Sequence, residues 1–441
     1  MNDKDKASEY EQNPAALLQK LIQFDTTNPP GNEGECVRFI QELLRSAGID
    51  AQILEKAPGR PNLLARLPGQ GQSAPLLLYG HLDVVTTANQ AWTHPPFAGR
   101  IADGFIWGRG ALDMKGGVAM LLAAFLRVKR LGIQPPGDLL LALLSDEEAG
   151  GDFGARFLVE EHAGLFAGVR YALGEFGGFS LDIGKKRFYP IQVAEKQACW
   201  LKATVRGPGG HGSMPIRTGA MYKLGRLLQT WTHERLPVHI TPPAAQMVGS
   251  IASHLGGIQG WMLGRLLKPS LTDRVLDLLG ERGDVFSPLL HHTVSPTVLR
   301  GSTKTNVIPG EASVELDGRI LPGYQPEDLI RELRQASPVE VELEVIRFEP
   351  GQATVDMGLF DTLAGALQEA DPEGIPVPLL LSGMTDGRLF ARLGIQSYGF
   401  LPMKFPKGFG FNAGIHAADE RIPVEAVEFG TNSILRVLQR Y

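Results

Sequence analysis

Three short apolar runs, each passing directly into acidic or histidine-bearing residues, constrain this chain more than any other feature. Leu76–Tyr79 leads into Gly80-His81-Leu82-Asp83, Leu139–Leu144 into Ser145-Asp146-Glu147-Glu148, and Tyr171–Leu173 into Gly174-Glu175. Runs this short fit strands covered on both faces better than buried helices. A fourth, Asn62–Leu67, has the same strand character. Pro14–Phe24, Glu33–Ala47 and Gly116–Leu131 carry apolar residues at helical spacing. Strands alternating with helices predict an α/β fold, a mostly parallel central sheet flanked by helices. In open α/β sheets ligand crevices form at the carboxyl edge, where all three polar tips fall.

The middle of the chain reads differently. Ala198–Arg206, Ala312–Ile320 and Val339–Phe348 read as strands, with helices expected at Met221–Trp231 and Pro326–Gln335. That pattern predicts a compact α+β unit of antiparallel character. Inside it, Leu236–Pro296 is rich in Pro, Leu and Gly, with one amphipathic helix expected over Gln259–Leu279, broken at Pro269. Beyond Pro350 the α/β pattern resumes, with a strand at Ser397–Leu401 and a helix at Val424–Arg440. The expected organisation is one α/β domain in two parts, residues 1–197 and 351–441, interrupted by a smaller α+β domain at 198–350.

Composition narrows the function. A formal net charge of −5 gives no basic field for phosphate backbones, so nucleic acid is not an expected partner. The longest apolar run, Gly117–Leu126, is too short to span a bilayer, and no membrane partner is expected. Cys36 and Cys199 are too few for a disulfide scaffold. Met1 to Asn13 is polar and charged, without the apolar core of a secretory signal, so the expected location is cytoplasmic.

His81 and Asp83 are two residues apart, which in extended chain points both the same way and suits an imidazole ligand with an orienting carboxylate. Asp113 lies in the glycine-dense stretch Gly108–Gly117, where it fits either a ligand or a helix N-terminal acid. Glu147 and Glu148 are adjacent, so one can bind metal while the other handles a proton, although a solvated turn has the same composition. Asp146 reads as such a turn. Glu175 ends a strand, and His416 and His211 sit in loops. Each alone also fits a structural role. Together, two His and three carboxylates at strand ends and loops are the donors that two borderline divalent cations take, with one carboxylate bridging. His94, His162, His233, His239, His254, His291 and His292 have no such context and read as structural or surface residues. No nucleophile elbow, P-loop or dinucleotide fingerprint competes for the crevice.

With these residues in view, the chain resembles the co-catalytic zinc aminoacylase and carboxypeptidase family, which includes acetylornithine deacetylase, succinyl-diaminopimelate desuccinylase, glutamate carboxypeptidase and cytosolic dipeptidases. The resemblance runs from about Leu17 to the C-terminus. It rests on the blocks Gly80–Val85, Trp107–Gly117, Ser145–Gly150, Gly207–Met214, Asn306–Pro309 with Leu316–Arg319, Gly383–Arg388 and Gly414–Glu420. It implies two Zn2+ per chain, with Co2+ or Mn2+ as substitutes. Asp113 would bridge them, His81 and Glu175 would complete one site, and Glu148 and His416 the other. Asp83 would orient His81, Glu147 would be the general base, and the Asp113-Met114 peptide would be cis. The interrupting domain would be a lid and dimerisation domain. In it, His211 would reach the partner subunit's site and stabilise an oxyanion, while Asn306, Arg319 and the backbone of Gly383 would hold a substrate carboxylate. The implied activity is metal-assisted hydrolysis of an amide bond beside a free carboxylate. A dipeptidase or carboxypeptidase is favoured by the length of Leu236–Pro296, and the alternative is an N-acyl-amino-acid amidohydrolase. A non-catalytic binding protein would lack a ligand or the base, and none is missing.

Overall fold

In a computed structural model describing residues 3–352 and 354–441, the chain divides into two compact units. One comprises residues up to Val193 with Asp356–Leu379 and Thr385–Tyr441; the other comprises Ala194–Val355 with Leu380–Met384.

The first unit is built on a nine-stranded sheet. At its centre Leu139–Leu144, Leu76–His81, Tyr171–Gly174 and Gln396–Gly399 lie side by side and parallel. Pro61–Leu67 and Ala51–Glu55 extend one flank antiparallel. Lys186–Glu195 and Gly374–Leu381 extend the other, with Leu181–Ile183 paired to Lys186–Glu195. Ala51–Glu55, Lys186–Glu195 and Gly374–Leu381 were not expected from the sequence. Ala51–Glu55 is half-exposed and weakly apolar. The other two contain prolines, which remove ladder donors and make a strand hard to recognise.

The central strands are buried on both faces, which is why they read as continuous apolar runs. On one face Leu77, Tyr79, Leu140, Ala142 and Leu144 pack with Phe157, Leu158, Phe166 and Phe390. Against the other lies the helix Lys115–Arg130, which also packs with Pro14–Ile22 and Val424–Leu438. Burying each such leucine stabilises the unit by about 1.5–3 kcal/mol. Gly80 permits the close approach of this helix: a Cβ there would sit 2.6 Å from Met114 Cε and 3.2 Å from Val118 Cγ2. His81 ends its strand, and Ser145 and Glu175 directly follow theirs, so the chemistry gathers at one carboxyl edge.

The second unit holds a four-stranded antiparallel sheet in the order Thr293–Arg300, Glu311–Ile320, Gln197–Arg206, Glu342–Glu349. Leu224, Leu227 and Trp231 of the helix Ala220–His233, and Leu329 and Leu333 of Pro326–Ala336, close its core with Leu201, Ala203, Val314 and Leu316. The helix expected over Gln259–Leu279 is present and breaks at Pro269, as Gly257–Gly264 and Pro269–Leu279. The expectation of one helix in this segment is corrected: Pro242–Leu255 precedes it, and the short turns Glu281–Asp284 and Ser287–Leu290 follow. Gly256 and Gly257, at φ 60° and 54°, separate Pro242–Leu255 from Gly257–Gly264, a conformation that other residues adopt only at a cost.

Candidate metal centre

Asp113 faces two ways. Its Oδ1 is 3.1 Å from His81 Nε2 and its Oδ2 is 3.2 Å from His416 Nε2. Glu175 Oε2 is 3.6 Å from His81 Nε2, and Glu148 Oε2 is 3.3 Å from His416 Nε2. Two trios result, His81–Asp113–Glu175 and Asp113–Glu148–His416, each with its donor atoms within 4.8 Å of one another. They share one carboxylate, the arrangement a bridged pair of ions requires. The Asp113–Met114 peptide is cis. Glu148 Oε1 and Glu175 Oε1 are buried without a hydrogen-bond partner among the described residues. Unpaired buried carboxylate oxygens beside imidazole nitrogens fit a pair of divalent ions such as zinc.

His81 Nδ1 donates to the main-chain oxygen of Asp83 at 2.9 Å, which leaves the Nε2 lone pair free for a metal. The Asp83 carboxylate is farther, at 3.5 Å. It accepts instead from Asn28 Nδ2 and from the Glu147 and Glu148 amides, so it holds the loop that carries these two glutamates. Asp146, expected as a solvated turn, is corrected: it is 3% exposed and accepts from Arg60, Asn28 and the Phe153 amide. Glu147 stands in this acidic crowd. Burial, then the charges of Glu175, Asp386 and Glu148, push its carboxyl well above the usual range against the pull of His81. Asp386, which the sequence reading passed over, is buried with neither carboxylate oxygen hydrogen-bonded among the described residues. Burial holds its carboxyl at about 6, against the lowering influence of Arg388 and His81.

Protons compete with metal for these imidazoles. Hydrogen bonds to Asp113 and Glu148 hold the His416 imidazolium up to about 10. For His81 burial opposes the charge, but hydrogen bonds to Asp113, Asp83 and Glu175 outweigh it and raise its pKa well above the ordinary value. Both are raised, so in the metal-free chain their stabilisation is complete below the unfolded value near 6.5 and fades as pH climbs through the folded values. Metal binding at neutral pH must therefore displace up to two protons. The expected result is apparent affinity rising by up to about 100-fold per pH unit near neutrality, measured by competition with a chromophoric chelator at several pH values. Affinity independent of pH would exclude both imidazoles as ligands.

The remaining expected site residues lie in the second unit. His211 is exposed, with Nδ1 2.8 Å from Ser213 Oγ, and it pairs through the backbone with Val307, next to Asn306. Arg319 lies on Glu311–Ile320 with its fork against Asp317, Nε–Oδ1 2.8 Å and Nη2–Oδ2 3.0 Å. Gly383 lies in the short stretch Leu380–Met384. A further trio in this unit, His239, His292 and Glu332, also has its donor atoms within 4.8 Å. Here His292 Nδ1 accepts the Leu321 amide at 3.1 Å, which fixes the proton on Nε2 and removes the lone pair a metal would need.

The sequence model of peptidase family M20/M25/M40 matches residues 77–440, most of the chain. The chain belongs to this family. It is similar to a succinyl-diaminopimelate desuccinylase of Paracoccus denitrificans (strain Pd 1222), 28% identical over 438 residues and covering 97% of this chain and 98% of the relative. It is also similar to aminoacylase-1 of Sus scrofa, 26% identical over 434 residues and covering 95% and 92%. Its fold matches the M20 metallo-carboxypeptidase Sso-CP2 of Sulfolobus solfataricus with a TM-score of 0.68 at 16% identity, covering 97% and 98%. As an M20 family protein it is an enzyme of the metallopeptidase and amidohydrolase group.

Two residues that the sequence reading left without a role tie this M20 centre together. Glu420, fully buried, accepts from the amides of Gly110, Leu112 and Asp113. Arg109, also buried, donates to Glu420 Oε2 at 2.7 Å and to the main-chain oxygens of His416 and Ala417. One ion pair thus clamps the loop of the shared aspartate to the loop of the distal histidine. Both residues lay inside matched blocks, but pairing across some three hundred residues leaves no local signal. Among the described residues no helix is long and apolar enough to cross a membrane.

Proposed function

We propose that this chain is a two-zinc peptidase that cleaves an amide bond beside a free carboxylate in small peptides. One observation carries the reading: the two oxygens of Asp113 stand between two His–carboxylate sets, with Glu147 close enough to feel the charges of His81, Glu148 and Glu175. When bound, a pair of zinc ions polarises the scissile carbonyl and acidifies water. His81, Asp113 and Glu175 would hold one ion, and Asp113, Glu148 and His416 the other. Glu147 takes the proton of the attacking water and returns it to the departing nitrogen, a task suited to a carboxyl whose affinity for protons is already raised. Arg319 and Asn306, with the Gly383 backbone, bind the substrate carboxylate, and His211 steadies the developing oxyanion from the partner subunit.

The second unit serves as lid and dimerisation domain in this proposal. Two free, buried cysteines accord with a reducing, cytoplasmic setting. The alternative substrate class, an N-acyl amino acid, is favoured by the names of the desuccinylase and aminoacylase relatives. Turnover of a dipeptide panel against an N-acetyl and N-succinyl amino acid panel by the zinc-loaded protein decides between them. Faster hydrolysis of the acyl panel would replace the peptidase reading.

Arg319→Ala should raise KM for carboxylate-bearing substrates by about 10- to 100-fold, the worth of a charge-assisted pair, with kcat little changed. An unaltered KM would remove the anchor. Mixing His211→Ala chains with Glu147→Gln chains should restore part of the activity that each lacks alone. Inactive mixtures in verified heterodimers would exclude a shared site.

A further inference from the structure

The helix Gly257–Gly264 rests on Pro242–Leu255 through a glycine: a Cβ on Gly260 would lie 2.2 Å from the Ala252 main-chain oxygen. With Gly260 and buried Leu263 turned inward, Ile258 and Trp261 point out, 82% and 62% exposed. Half-buried Met262 and Arg265 continue the same face at helical spacing. The Arg265 guanidinium lies 4.5 Å from the centre of the Trp261 ring, and exposed Lys268 follows.

Along the chain this ridge lacks acids: none occurs from Arg235 to Thr272, and the ridge itself carries Arg265 and Lys268. The next acids, Asp273 and Asp277, are engaged. Asp273 lies against His291 and Arg235, and Asp277 accepts from Arg235 at 2.7 Å. An exposed tryptophan and isoleucine backed by cations, on a chain whose net charge is −5, complement a surface that is apolar just beneath an anionic layer.

We propose that the Gly257–Lys268 face docks the protein peripherally on anionic phospholipid bilayers. Ile258, Trp261 and Met262 enter the headgroup boundary, while Arg265 and Lys268 meet lipid phosphates. The expectation of no membrane partner rested on spanning length. A surface contact needs only a few residues on one face, and which face stays uncovered appears only in the fold.

The test is co-sedimentation of the full chain with vesicles of phosphatidylcholine alone or with phosphatidylglycerol. The expected result is binding at least about tenfold stronger to the anionic vesicles, reversed by high salt. Ile258→Ser with Trp261→Ser should abolish it, and Arg265→Gln with Lys268→Gln should reduce anionic binding to the neutral level, while peptide hydrolysis in solution stays unchanged in both. Failure of the wild-type chain to bind, or full binding by the Ser variant, overturns the proposal. Light scattering on the same proteins adds a further check. A smaller assembly for the Ser variant would assign the ridge to a second copy of the chain and likewise overturn the membrane reading.

Discussion

Glu147→Gln should lower kcat by about 10²- to 10⁴-fold, the usual contribution of a positioned acid–base group, while metal content stays near that of the wild-type chain. Glutamine keeps the shape of the side chain but cannot accept the proton of attacking water. The donor sets formed by Glu148 and Glu175 remain whole, so elemental analysis and turnover should separate cleanly. Metal lost together with activity would make Glu147 a ligand. Retained turnover would assign the base to another carboxyl, with buried Asp386 the next to test.

Glu420→Ala should be the most destabilising of the substitutions considered. It strands the buried Arg109 charge and removes the acceptor of the Gly110, Leu112 and Asp113 amides. Breaking a buried pair by deleting one partner costs about 3–5 kcal/mol, a fall in Tm on the order of 10 °C. Because those amides set the loop of the shared aspartate, metal should also leave at lower chelator concentration. Replacing both partners with apolar residues should cost less than the two single changes summed, since no lone charge is left buried. Strict additivity in that cycle, or wild-type metal retention in Glu420→Ala, would reject the clamp.

The sequence displayed the parallel centre of the sheet and the carboxylates at its edge, because strands buried on both faces print as uninterrupted apolar runs. Leu139–Leu144 was legible to the residue. Edge strands were not: Gly374–Leu381 hides behind Pro376 and Pro378, and Ala51–Glu55 is too polar. The residues that gather around Asp113 could be singled out because glycine-dense loops and strand ends mark where side chains meet. What surrounds them could not. Asp146 looked like a solvent turn because its partners Asn28 and Arg60 are distant in sequence, and the Arg109–Glu420 pair was invisible for the same reason. The insertion misled as well. Only Gln259–Leu279 was expected to be helical there, and the helix Pro242–Leu255, which opens on two prolines and ends at Gly256, went unrecognised.

The place of Gln396–Gly399, hydrogen-bonded between Tyr171–Gly174 and Lys186–Glu195, bears on how the protein is made. During synthesis the ribosome delivers its two neighbours some two hundred residues before it. Until then, both present open strand edges that invite pairing with other chains. Such long-range closure slows folding, and a nascent chain of this kind stands to gain from chaperones that shield those edges.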